Sequence, residues 1–175
     1  ALSAEVRARA RSPRLVLLTK SNNRSTVHRP GYLDYVGVKR FDAAGNVCGE
    51  HRFLGLYAST AYSASPADIP LLRRKTANVV ARAGVALGSH AGKALPNILA
   101  GYPRDELFQS SEDELFDTAL GILQLQERQR TALFVRKDPF ERFVSALVYT
   151  PRDRYDMRLR RRFEQILARA YGGEI

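Results

Sequence analysis

Two β-hairpin signatures bracket a long helical middle, and that order constrains the fold more than any other feature of the 175 residues. A first strand is predicted over 14–21, where Leu15, Val16, Leu17 and Leu18 run together and Asn22-Asn23 breaks the run as a turn. After a loop with His28, Pro30 and Gly31, residues 35–41 and 47–58 read as a hairpin. Asp42 and Gly45 occupy the first and last positions of a type I turn. Phe53, Leu54, Leu56 and Tyr57 are expected to pack one or both faces of the return strand. The second hairpin is predicted from 131–137 and 142–150, both rich in Val, Phe and Leu. Asp138-Pro139-Phe140-Glu141 joins them, the proline pre-setting the turn, and Pro151 ends the second strand.

The middle has a 3.6-residue period. Leu72, Thr76, Val79, Val80 and Ala83 recur on one helical face, entered past Pro66 and Pro70 with Asp68 as N-cap, and Gly84 stands where a C-terminal cap belongs. Gly88, Gly92 and Gly101 bracket a short helix near 95–100, weakened by Pro96. Ser111 and Glu114 form a capping box ahead of a stripe of Leu115, Ala119, Ile122 and Leu123, widened by Phe116 and Leu120. That helix is expected to run to about Arg128. A last helix over 157–171 places Leu159, Phe163, Ile166 and Ala170 on one face. Strands at both ends and helices between them predict an α+β fold with one largely antiparallel sheet of about five strands, covered on one face. A doubly wound parallel sheet would need strands and helices to alternate, and they do not.

Apolar residues make up 45% and charged residues 26%, so a packed core can form. The longest apolar runs fall far short of the roughly 18 residues of a membrane span, and the Arg-rich start has no apolar signal region. Met157 is the one methionine, so Ala1 is expected not to be a native start. The single cysteine, Cys48, excludes an internal disulfide and suits a reducing, cytoplasmic setting. It is expected as a buried thiol in a strand, with His51 on the opposite face. The net charge of +10 is concentrated at the ends, in Arg7, Arg9, Arg11 and Arg14 and in the arginines after Pro151. A solvated basic face beside an acidic partner domain is the preferred explanation. Nucleic-acid binding through the terminal arginines is the alternative.

A search for chemistry returns no complete constellation. Gly84, Gly88 and Gly92 followed by Lys93-Ala94 invite a phosphate-loop reading, but Gly88 and Gly92 are one residue too close and Ala94 has no hydroxyl for magnesium. No dinucleotide fingerprint follows a strand. Gly49 and Gly55 read as a bulge or a close backbone approach. His28, His51 and His90 have no second histidine at metal-pair spacing, and no G-x-S-x-G turn presents a serine nucleophile. Asp105-Glu106 and Glu112-Asp113-Glu114 sit at helix starts, where the macrodipole accounts for them. No residue is therefore assigned a catalytic, cofactor-binding or metal-binding role.

Five blocks in a fixed order carry a resemblance. They are residues 14–30 (RLVLLTKSNNRSTVHRP), 35–39 (YVGVK), 50–57 (EHRFLGLY), 103–109 (PRDELFQ), and 135–143 (VRKDPFERF) continued by 149–155 (YTPRDRY). Together they resemble the N-terminal, non-catalytic segment of the large bacterial NAD-dependent glutamate dehydrogenases. The resemblance implies a parent chain that oxidises L-glutamate to 2-oxoglutarate and ammonia, with NAD held in a separate catalytic domain and no cofactor here. It implies a regulatory or scaffolding module, PAS-like or, as second choice, ACT-like. The expected partners are the rest of the parent chain, further copies of the parent in a homo-oligomer and a small-molecule effector, with no membrane contact. The implied division is a basic extension over 1–13, a PAS-like α+β domain over 14–150, and a helix over 151–175 that starts a following ACT-like module.

Overall fold

The computed structural model describes residues 3–86, 88–126 and 130–174. A short helix, α1 (Ala4–Ala10), precedes three strands, β1 (Val16–Arg24), β2 (Tyr32–Phe41) and β3 (Val47–Gly55). Helices α2 (Ser59–Ser63), α3 (Pro70–Ala83), α4 (His90–Ala100), α5 (Arg104–Gln109) and α6 (Glu112–Gln126) fill the middle. A hairpin, β4 (Ala132–Lys137) and β5 (Val144–Tyr149), and a last helix, α7 (Met157–Tyr171), complete the order. The expected extension of α6 to Arg128 lies outside the described residues.

The core belongs to the helices. Leu72 and Val79 of α3, Leu95 and Leu99 of α4, Leu107 and Phe108 of α5, and Leu115, Ala119 and Ile122 of α6 close on one another with Tyr102. The stripes predicted for α3 and α6 are the faces buried here. The capping box forms as read: the Ser111 amide donates to Glu114 Oε2 at 2.7 Å and the Glu114 amide to Ser111 Oγ at 3.1 Å. Gly84 closes α3 at φ +61°, in the left-handed region where glycine carries no Cβ penalty. Helix α4 is longer than expected and runs through Pro96. Ser89 caps its start by accepting from the Gly92 amide at 2.9 Å. Leu95 and Leu99 are almost wholly buried, so packing outweighs the hydrogen bond that Pro96 removes. Asp68 does not cap α3. It ends a 3₁₀ turn over Pro66–Asp68, and Ile69 stands at the cap with Pro70 as the first helical residue.

The expected single sheet is two sheets, a correction to the five-stranded PAS-like reading. β2 lies between β1 and β3, both antiparallel to it, with Val36 opposite Leu18 on one side and Phe53 on the other. Among the described residues β4 and β5 pair only with each other. Helix α5 packs against β1, and the sheets meet through side chains rather than a backbone ladder. Phe134 of β4 docks the second sheet on the core over Gly121 of α6. A Cβ there would stand 2.5 Å from the ring, so α6 needs glycine for the close approach.

The reading of β3 also needs correcting. Arg40 faces Gly49 and Phe41 faces Val47, so Cys48 is the extra residue of a bulge. It is exposed rather than buried. Phe53 and Leu54 are likewise mostly exposed, because β3 is the sheet edge and nothing described covers it. Val6 of α1 is buried in a stretch read only as a basic extension, and Lys39 Nζ donates to the Ala10 carbonyl at that helix's end, at 2.7 Å.

Candidate functional site

The charged groups that burial singles out gather where the two sheets and α5 meet. Glu106, in the first turn of α5, reaches β4. Arg136 Nε and Nη2 donate to its two carboxylate oxygens at 2.7 and 2.8 Å, a bidentate pair with both side chains about nine-tenths buried. Such a pair is shape-specific as well as attractive, because the planar guanidinium matches both oxygens at once.

A second cluster ties the hairpin turn to β1. Asp138 is 1% exposed. Its Oδ2 accepts from the amides of Phe140 and Arg142 and, at 2.8 Å, from Arg142 Nε. Thr19 donates its hydroxyl to Asp138 Oδ1, and Arg142 also donates to Thr19 Oγ1 and to the Lys20 carbonyl. Burial works to raise the Asp138 pKa. The hydrogen bond and charge of Arg142 outweigh it, and the carboxyl lies below its ordinary 3.8.

Beside it, Lys20 of β1 places Nζ 2.6 Å from Asp34 Oδ1 and 3.1 Å from Asp105 Oδ1. Asp34 Oδ2 accepts from the Tyr57 amide at 2.8 Å, and Tyr62 donates its hydroxyl to Asp105 at 3.1 Å. Arg29 lies over the Tyr62 ring. These groups border a shallow depression of about 360 Å³ lined also by Tyr32 and Leu56. Burial works to lower the Lys20 pKa, but Asp34 and then Asp105 raise it on balance. Burial and the two carboxylates raise Tyr57 and Tyr62 as well. All three therefore stay protonated at neutral pH and none is poised for proton transfer.

Lys75 of α3 is the exception in direction. Burial, with the charge of Arg14 second, brings it down to about 8. Its three N–H donors are taken by the carbonyls of Leu107, Phe108 and Ser110 at 2.8, 3.1 and 2.7 Å, so the ammonium closes the C-terminal end of α5 and has no free lone pair. Chemically the whole arrangement fastens α5, β1 and the β4–β5 turn together.

The residues weighed from the sequence lie elsewhere or act otherwise. His28 is in an exposed loop, His51 on β3 and His90 at the start of α4. Among the described residues no group of three or more His, Cys, Asp or Glu is placed to hold a metal. Lys93 is exposed on α4. Asp105 and Glu106 do sit in a helix first turn, but Asp105 also meets Lys20 at the rim of the depression and Glu106 makes the buried pair with Arg136. Their partners are tens of residues away in sequence, and no local spacing marks them. The terminal arginines lie on α1, on the loop after it, in the 3₁₀ turn after Pro151 and on α7. No described helix is long and apolar enough to cross a membrane.

Comparison with known proteins places this arrangement. The family model described as glutamate dehydrogenase, helical motif 1, matches residues 69–128, and that described as glutamate dehydrogenase, ACT2 domain, matches residues 132–175. An NAD-specific glutamate dehydrogenase of Halomonas elongata is 46% identical over 155 residues, 89% of this chain. The chain belongs to the NAD-specific glutamate dehydrogenase family. The Pseudomonas aeruginosa relative is 45% identical over 90% of the chain, and the Mycobacterium tuberculosis relative 35% over 91%. The chain spans about 10% of the length of each of these relatives. The helical-motif match covers the bundle α3–α6, and the ACT2 match covers β4, β5 and α7. The ACT-like reading, second choice from the sequence, is the one this family match favours.

Proposed function

We propose that the chain is a regulatory or scaffolding module of an NAD-dependent glutamate dehydrogenase whose full polypeptide oxidises L-glutamate to 2-oxoglutarate and ammonia in the cytoplasm. Its family membership, over a tenth of the relatives' length, carries the reading. The chemistry of the buried groups supports it. Glu106, Asp138 and Asp34 spend their charge on Arg136, Arg142 and Lys20, joining elements rather than facing a substrate. NAD and glutamate are held by other parts of the enzyme, and a small-molecule effector and further copies of the parent are partners of the same reading.

The proposed division keeps 1–13 as an N-terminal extension and 14–150 as one packed unit. Residues 151–175 then continue an ACT-like module whose family match begins at residue 132, so β4 and β5 belong to it as well. The test is an assay of the purified chain for glutamate-dependent NAD reduction, beside the full-length enzyme with and without this segment. No turnover by the chain is expected, together with altered assembly or effector response when the segment is removed. Robust turnover by the chain alone overturns the proposal.

A further inference from the structure

The β4–β5 sheet is apolar on both faces. Residues directly opposite in an antiparallel pair share a face. Phe134 opposite Leu147 and Ala132 opposite Tyr149 form the inner one, and Phe134, Leu147 and Tyr149 pack against the helical core. Leu133 opposite Val148 and Val135 opposite Ala146 form the outer one, where Leu133 is 48% and Val135 45% exposed. Strands of this pattern belong to sheets covered on both sides, and a two-stranded sheet rarely stands alone.

Helix α7 repeats the mismatch. Its stripe of Leu159, Phe163 and Ile166 is continuous, yet no residue of the helix is buried, and Ile166 is 54% exposed. Asp156 caps its start at 2.6 Å and Gly172 ends it in the left-handed region, so the helix is fully specified locally while Leu159 and Phe163 of its stripe are only partly buried.

We infer that the outer face of β4–β5 and the stripe of α7 are docking surfaces covered by apolar, acid-rimmed surface carried by another stretch of the same glutamate dehydrogenase polypeptide. This rests on the module reading above. The matched relatives are about ten times as long as this chain, so the enzyme has ample chain to supply the cover. One family model spans β4, β5 and α7 together, which marks them as parts of one unit. Charge argues against self-pairing through α7. Arg158, Arg162 and Arg169 flank the stripe, and a second copy would set them against the same arginines, whereas an acidic rim would complement them.

Hydrogen exchange read by mass spectrometry, on the full-length enzyme and on the 175-residue chain, tests the inference. Amides of 144–149 and 157–171 are expected to exchange at least about 100-fold more slowly in the full-length enzyme. Ile166→Asp should abolish that protection there while leaving the unfolding midpoint of the chain unchanged. Equal exchange in both proteins overturns the inference. So does protection of the chain itself that grows with concentration alongside a dimer mass, which assigns the surface to a second copy. Protection of the chain by vesicles containing phosphatidylglycerol overturns it in favour of a lipid surface. Glutamate turnover by the chain bears on the module reading alone, so the two failures are distinguishable.

Discussion

The α3–α6 bundle and the β4–β5–α7 arm are both rich in leucine, valine and phenylalanine, yet they bury them to opposite extents. In the bundle Leu72, Leu95, Leu107, Leu115 and Ala119 are fully enclosed. In the arm Leu133, Val135, Met157 and Ile166 are about half exposed and α7 has no enclosed residue. Amphipathic periodicity reports which face wants a partner. Whether the partner is within reach depends on topology: the four helices of the bundle enclose one another, with Phe134, Leu147 and Tyr149 of the arm's inner face packed on them.

The comparison can be broken at the point where arm and bundle meet. Glu106→Ala leaves Arg136 charged, buried and unpaired, and should cost about 3–5 kcal/mol in urea unfolding. A loss below about 1 kcal/mol would show that the pair does not join arm to bundle. Leu95→Ala, inside the bundle, should cost about 3 kcal/mol through lost burial and a residual cavity. The comparison sharpens in acid. Asp138 has its pKa lowered in the fold, so its contribution to stability is fully present above the ordinary value of 3.8 and is lost as pH falls through the folded value. Stability measured from pH 5 downward should therefore fall less steeply for Asp138→Asn than for the parent. Ser111→Ala removes one half of the capping box and should cost about 1 kcal/mol. Ile166→Ala, on the open stripe, should change the stability of the chain by less than about 0.5 kcal/mol. A cost as large as that of Leu95→Ala would mean that the arm is packed like the bundle.

Local chemistry was legible and pairing was not. The capping box at Ser111, the cap at Gly84, the Asp42–Gly45 turn and the stripe of α6 follow from residues within a turn or two of one another. They form as read. The Asp42 side chain takes the Ala44 and Asn46 amides, which is what an aspartate at a turn start does. The split into two sheets was hidden because strand patterns record faces, not neighbours. Cys48 was misjudged because one residue of bulge resets the alternation. Helices α2 and α5, of five and six residues, are too short for periodicity to reveal. Glu106 looked like a dipole partner because its first-turn position is local information. Arg136 lies 30 residues on, so their pairing is not.

The Arg142 bridge sets a timetable. Thr19 and Lys20 leave the ribosome 123 and 122 residues ahead of the arginine that binds them. At about 5–20 residues per second, the first sheet waits roughly 6–25 s for its clasp. Until then β1 is paired with β2 alone, and the Thr19 hydroxyl and Lys20 carbonyl wait for the side chain that fastens the second hairpin to the first sheet.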